Sequence, residues 1–163
     1  MGHTPLTSEE SRDVELDVEA REIALRARAL EGIELTSLLL WEVTLARGPA
    51  LDVSPGGISE SSSYQMQHND DSLLFHIGSV FELTNSAGDK IADLDITHLV
   101  GFDVQSGREF SDDEAEVILS QARLAAYPFT REKVLAFSAD MGLQPIVMPL
   151  MRRSTMSPAQ HKP

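Results

Sequence analysis

The chain has 163 residues, with 26 acidic and 13 basic side chains and a net charge of −13 at pH 7. This charge argues against a nucleic-acid partner, because binding to phosphates needs basic stripes, and against adsorption to anionic membranes. The lack of cysteine excludes disulfides, thiolate nucleophiles and thiolate zinc sites. No apolar run reaches the about 20 residues that insert across a bilayer, so we expect a soluble, cytoplasmic domain.

The N-terminal region divides into a polar stretch and a helix. Residues 1–13 have no apolar period and are expected to form a disordered leader. Residues 14–31 are rich in strong helix formers, and Gly32 is a natural end for them. The apolar positions of this predicted helix form one stripe, which consists of Leu16, Ile23, Ala27 and Leu30.

Four segments with a two-residue apolar period follow the helix. They predict strands over residues 33–47, 58–68, 72–84 and 90–104. The connections between these segments are short, and short connections require neighbouring strands to pair antiparallel. The segments therefore predict a four-stranded antiparallel sheet.

Two of the predicted strands are apolar on both faces. Leu38 and Leu40 interrupt the polar face of the first strand, so we expect that something partly covers this face. In the fourth strand, Leu94 and Leu99 fall on opposite sides. An apolar residue on each side indicates an interior strand or one at a subunit contact.

Helical periodicity returns after the last strand. Ser111 is followed three residues later by Glu114, which is the pattern of a capping box at a helix start. The apolar face that begins there runs to Tyr127-Pro128, where proline is expected to end the helix because it lacks a backbone donor. A second helix is predicted over about residues 130–141.

The C-terminal remainder is not helical in pattern. Residues 143–151 are apolar but contain two prolines, which indicates an extended segment on the surface, and residues 152–163 form a flexible basic tail. The elements predict an α+β fold with one folded domain over residues 14–151. Its architecture is a four-stranded antiparallel sheet with an N-terminal helix and two C-terminal helices.

Five histidines invite a metal or catalytic interpretation. Three of them, His68, His76 and His98, fall on predicted strands near Asp93 and Asp95, but no histidine spacing forms a metal-binding pair. Nucleophile and phosphate-loop motifs are also absent from the sequence. We therefore expect no enzyme, metal or cofactor. The alternative is a small ligand-binding domain or enzyme that uses the sheet face around Asp93, Asp95, His76 and His98.

Residues 111–151 carry a more specific pattern. An acidic helix start leads to Tyr127-Pro128-Phe129-Thr130-Arg131-Glu132, then to Gly142-Leu143 and to an apolar segment from Pro145 to Pro149. This pattern resembles the C-terminal half of SecB-family chaperones, whose signature contains a Y-P-[FY]-x-R-E turn. With the four upstream strands in the same order, the resemblance covers roughly residues 33–151.

The resemblance implies a homotetrameric chaperone, a dimer of dimers, that holds unfolded or aggregation-prone polypeptides in apolar grooves without ATP. Such a protein needs no catalytic residue, and its assembly accounts for strands that are apolar on both faces. The client contacts are predicted at large apolar residues of the strands and of the C-terminal region. These are Trp41, Phe75, Phe81, Leu94, Phe129, Phe137 and Met148.

Two features of this sequence differ from the export-dedicated SecB proteins, and they bear on which clients the protein serves. Those proteins end in a zinc-binding tail that docks on the translocase motor, whereas this tail has only His161 as a potential ligand. A predicted helix also precedes the first strand. Both features are closer to SecB-like proteins that protect the antitoxin of a toxin–antitoxin system. Export with a translocase partner and antitoxin protection both stay open, as does a purely structural assembly protein.

Overall fold

Two helices bracket four long strands in the computed structural model, which describes residues 8–50, 52, 54–143 and 145–148. The elements are α1 (Ser8–Leu30), β1 (Glu34–Arg47), β2 (Pro55–Asn69), β3 (Ser72–Asn85), β4 (Lys90–Asp103) and α2 (Asp112–Asp140). Neither helix in this part of the chain combines the length and the apolar character needed to cross a bilayer.

The strands form one antiparallel sheet in the order β1-β4-β3-β2. The predicted fold class is confirmed: an α+β arrangement with an N-terminal helix, a four-stranded antiparallel sheet and a C-terminal helical region. Because β4 returns to pair with β1, the strands β3 and β4 are central while β1 and β2 lie at the two edges. The pairing of β1 is irregular between Leu40 and Glu42, where a bulge places Trp41.

The core lies between α2 and the two central strands. Side chains of β3 alternate between buried and partly buried positions, as a strand covered on one face requires. Near the start of α2, Ile118 packs in a cluster with Phe75. Near its end, Val134 packs in a second cluster with Phe81 and Leu94. All five side chains are at most 2% exposed.

The prediction of two C-terminal helices is wrong, because α2 runs unbroken through Pro128. The proline removes one backbone donor, but both halves of α2 bury apolar residues on the same sheet. At 29 residues the helix is about 44 Å long, which matches the about 46 Å of a 14-residue strand. The apolar contacts on both sides of Pro128 therefore outweigh the lost hydrogen bond.

The first helix is longer and less covered than its sequence pattern predicts. It begins at Ser8, earlier than the predicted start at residue 14, while residues 1–7 of the predicted leader and the tail 152–163 lie outside the described residues. Among the residues whose burial is described, the predicted apolar stripe packs only at its C-terminal end, where Leu30 contacts the first core cluster, while Ile23 is 60% exposed. The same end of α1 packs against α2, where Ala29 is fully buried.

Glu114 connects the end of α1 to the start of α2. The predicted capping box is present: the Ser111 hydroxyl accepts from the backbone N–H of Glu114, and the Ser111 backbone N–H donates to Glu114 Oε2 at 2.9 Å. The other carboxylate oxygen accepts from Arg28 Nε at 3.0 Å, and Arg108 Nη2 lies 3.6 Å away. Arg108 also donates to backbone carbonyl oxygens at the end of α1, including that of Arg28.

These contacts make the stability of the fold depend on the charge of Glu114. Hydrogen bonds from Ser111, and then the nearby Arg28 guanidinium, lower the pKa of Glu114 from 4.5 to about 2. A carboxylate with a lowered pKa stabilises the fold above its unfolded pKa, and this stabilisation is lost as the pH falls from 4.5 toward 2. We expect Glu114→Gln to reduce the loss of unfolding free energy between pH 6 and pH 3.

Urea denaturation of wild type and variant at both pH values measures this difference. Glu116→Gln, which removes the same charge from an exposed position of the same helix, is the matched control. Equal pH dependence in wild type and Glu114→Gln would show that the junction does not contribute in this way.

A pair of phenylalanines tests the position of the core. Phe75 is fully buried beneath α2, whereas Phe129 is 48% exposed on it. Phe75→Ala should lower the free energy of unfolding by about 3–5 kcal/mol, because it leaves a cavity. Phe129→Ala should change it by less than about 1 kcal/mol. Chemical denaturation measures both, and similar losses would contradict the described packing.

Candidate functional site

Large apolar side chains are exposed along both flanks of α2. The helix covers β3 and β4, so the helix-facing residues of the edge strands are only partly covered. Register identifies these residues: Val43 and Leu45 pair with Ile96 and Leu94, which are buried beneath the helix. Exposed apolar residues on two sides of one element are unusual for an isolated domain and typically mark a binding surface.

The flank on the β1 side presents exposed apolar residues of the strand, and we call it the β1 surface. It consists of Leu35, Leu40, Val43 and Leu45, which are 43–47% exposed. Val43 and Leu45 stand two residues apart, at a spacing of about 7 Å. This spacing matches alternate side chains of an extended polypeptide laid along the strand.

The flank on the β2 side combines apolar, aromatic and charged groups, and we call it the β2 groove. Ile58 and Met66 are 45% and 42% exposed at its two ends. Between them, the Arg123 guanidinium of α2 lies over the Tyr64 ring of β2, with 5.5 Å from its carbon to the ring centroid. Partial desolvation raises the pKa of Glu60 in the same groove.

A short C-terminal segment forms one wall near the Ile58 end of the groove. The Ile146 backbone N–H donates to Ser138 Oγ at 3.2 Å, and Met148 is buried against the second core cluster. A cavity of about 190 Å³ remains between this segment and the start of β2, lined in part by Ile58, Leu83 and Ile146. The segment therefore extends the apolar surface beyond the end of α2.

The opposite face of the sheet is open and has an apolar part and an acidic part. Trp41 and Leu39 are 61% and 57% exposed, and Trp41 meets His76 edge-on at 6.1 Å between ring centroids. Along β4 the face becomes acidic, where Lys90 Nζ lies 3.0 Å from Asp93 and 2.8 Å from Glu82. A second exposed apolar area thus adjoins β1.

The predicted client-contact residues separate into two groups. Trp41 and Phe129 are exposed, so their predicted role is compatible with the structure and stays a prediction. The other predicted contacts are at most 7% exposed in the core and cannot meet a client unless the core opens; they are Phe75, Phe81, Leu94, Phe137 and Met148. Sequence alone did not tell central strands from edge strands, so it selected the largest apolar residues.

The residues that sequence analysis missed are the smaller apolar residues of the edge strands. The interruption of the polar face at Leu38 and Leu40 was the one available signal for the β1 surface. Nothing comparable marked Ile58 or Met66, because the serine-rich pattern of β2 resembles an ordinary solvated strand.

The strand register separates the residues of the alternative ligand pocket: Asp93 and Asp95 share the open face with His76, but His98 does not. His98 pairs with Ile77 on the helix-covered face and is 2% exposed, whereas His76 lies on the open face beside Trp41. Burial, together with nearby Lys133, lowers the pKa of His98 and favours its neutral form. Asp93 is paired with Lys90. Within the described ranges, no group of three His, Cys, Asp or Glu residues could hold a metal ion.

No protein-family model matches the chain, and no curated protein matches its sequence. Solved structures do match its fold. One match, to a protein of unknown function from Streptococcus agalactiae, has a TM-score of 0.43 and 7% identity over 72% of this chain and 96% of that one.

A second match is the Mycobacterium tuberculosis SecB-like chaperone Rv1957, solved in complex with a ChAD peptide from the HigA1 antitoxin Rv1956. It aligns with a TM-score of 0.65 and 17% identity over 80% of this chain and 98% of its own. The chain therefore has the fold of this SecB-like chaperone.

Proposed function

We propose that the protein is an ATP-independent holdase chaperone that binds unfolded, aggregation-prone polypeptides. The observation that carries the proposal is the exposure of apolar residues along both flanks of α2, in a fold like that of a SecB-like chaperone. The long flanks suit an extended chain better than a small molecule. The proposed function involves no catalysis, and it requires no metal or cofactor.

The energetics fit a binder that holds many sequences loosely. Full burial of a Leu, Ile or Met side chain contributes about 1.5–3 kcal/mol, and residues already half-covered gain roughly half of this. One contact is therefore weak, but contacts along one connected client raise each other's effective concentration. Binding the unfolded form also shifts the folding equilibrium of a client by mass action, so no energy source is needed.

The exposed apolar residues also support assembly of the chain into an oligomer. β1 is an edge strand with exposed apolar residues on both faces, including Leu45 on one and Leu39 on the other. The β1 surface is proposed for the client, so the part of this area on the open face, around Leu39, is proposed to join copies of the chain. The SecB resemblance suggests a homotetramer built as a dimer of dimers, acting in the cytoplasm.

Antitoxin protection is the favoured client role, and export of precursor proteins is the second candidate. The matched Mycobacterium tuberculosis structure contains an antitoxin peptide, which supports an antitoxin client. Polypeptides recovered with the protein from its source cell would distinguish the two roles.

Aggregation assays test the holdase proposal. The protein should suppress aggregation of a client diluted from urea, equally with and without ATP. Leu45→Ser on the β1 surface and Met66→Ser in the β2 groove should each weaken binding of an unfolded peptide by about 3- to 10-fold, because each removes about 1 kcal/mol of burial.

Both changes should leave the urea midpoint nearly unchanged, since the two side chains are half exposed. Ile23→Ser, at a 60% exposed position of α1 away from both flanks, is the matched control. Failure of the wild type to suppress aggregation would refute the holdase role. Peptide affinity unchanged in both flank variants would refute these surfaces as the binding site.

Light scattering tests the assembly. The mass at micromolar concentration should be about four times the 17.9 kDa of one chain. A monomer throughout that range would contradict the tetramer, and a tetramer without affinity for unfolded peptides would instead support a structural assembly protein.

A further inference from the structure

A seam of buried polar side chains divides the core of the domain. On each of the three packed elements, one polar residue stands between a residue of the first core cluster and a residue of the second. These seam residues are Ser79 on β3, His98 on β4 and Thr130 on α2, which are 8%, 2% and 3% exposed. On β4, for example, His98 is flanked on the same face by Val100 of the first cluster and Ile96 of the second. The two apolar clusters therefore meet at polar groups.

The backbone of α2 is weakest at the same seam. Pro128 lacks a backbone N–H, so it donates no hydrogen bond to the carbonyl oxygen four residues earlier, and helices bend most readily at such positions. It lies between Ala126, which packs in the first cluster, and Val134, which packs in the second. The part of α2 after this proline, residues 129–140, is therefore held to the sheet by the second cluster.

His98 is the titratable group of the seam. Its Nε2 is buried without a hydrogen-bond partner in the described part of the chain. Its direct partners on the neighbouring strands, Leu40 of β1 and Ile77 of β3, do not titrate. From α2, the Thr130 hydroxyl bonds within its own helix, while the charge of Lys133 reaches the ring. Burial, and then this charge, lower the pKa of His98, so the closed core holds a neutral ring.

We propose that acid opens residues 129–140 of α2 by charging His98, with Pro128 as the hinge, and so exposes the second core cluster to clients. The apolar side chains uncovered in this way include Phe81 and Leu94, which are at most 2% exposed in the closed domain. The start of α2 stays in place at mildly acid pH, because the pKa of Glu114 is about 2. The proposal rests on the holdase function and adds a condition under which the client surface grows.

Proton linkage sets the size of the effect. In the open state His98 meets water and has its ordinary pKa of about 6.5, whereas in the closed state its pKa is lower. The neutral ring therefore favours the closed state fully above pH 6.5, and this preference is lost as the pH falls below that value. Between pH 7 and pH 5 the ratio of open to closed molecules should rise by up to about 25-fold.

Hydrogen exchange followed by mass spectrometry tests the opening in the full-length protein at pH 7 and pH 5. After correction for the intrinsic pH dependence of exchange, protection of residues 129–140 should fall by about 10- to 25-fold between the two pH values. Protection of residues 112–125 should fall by less than about twofold. An amidated apolar client peptide without His, Asp or Glu should bind about fivefold more tightly at pH 5.

Variants assign the effect to the buried histidine. His98→Leu cannot titrate and suits the apolar neighbours of the seam, so protection of residues 129–140 should stay within about twofold between the two pH values. His98→Gln, which is polar and does not titrate, should behave in the same way and replaces the leucine variant if that one folds poorly. His76→Leu removes a histidine from the open face beside Trp41 and should respond to acid as the wild type does.

The outcomes separate this proposal from the holdase function. Equal protection of residues 129–140 at both pH values in the wild type, or equal loss in both halves of α2, would overturn the hinged opening. A loss that persists in both His98 variants would overturn the role of His98. Opening without a gain in peptide affinity would overturn the exposure of a client surface by acid. No peptide binding at either pH would overturn the holdase function itself.

Discussion

The width of a single helix determines how this molecule divides its surface. An α-helix is about 10 Å across, and strands in a sheet lie about 4.8 Å apart. One helix laid along four strands therefore covers the central pair and leaves each edge strand partly open. Because α2 lies on β3 and β4, burial of the core and exposure of Leu45 and Met66 follow from the same arrangement.

Continuity of α2 is what gives both flanks their length. A helix that ended at Pro128 would support only half of each flank and would leave Val134 without its contacts on the sheet. At the other end, Glu114 accepts hydrogen bonds from the start of its own helix and from Arg28 of α1, so one carboxylate fixes both helices. The helix α2 and the two central strands therefore form the packed part of the molecule. The chemically varied surface lies along the two sides of the helix.

Local patterns predicted the elements well and their spatial neighbours poorly. The two-residue period located all four strands, and the spacing of Ser111 and Glu114 identified the start of α2, because both signals depend on residues close in sequence. Pro128 was misread because its local cost is offset by packing that is distant in sequence. The period of α1 predicted a buried stripe, yet burial needs a partner surface, and Ile23 has none while Leu30 packs on the core.

The candidate site shows the same limit. The apolar residues of a strand show which face is buried only when the neighbouring strands and helices are known. The order β1-β4-β3-β2 could not be read from periodicity. Phe75 and Trp41 were therefore grouped together, although one lies at the centre of the core and the other on an open edge.

The two edges of the sheet differ in how readily they would accept another strand. β2 presents Ser59, Ser61 and Ser63 to the open side, so this edge offers a second copy little apolar area on that face. β1 is apolar on both faces around Trp41, so a second copy that covered this edge would remove more apolar surface from water. Two copies that met symmetrically through β1 would cover both apolar edges, so the combined sheet would not extend through further copies of this contact, and a tetramer would form through another surface. The asymmetry would therefore favour a closed particle over an open fibre, a useful property for a protein that must expose so much apolar surface.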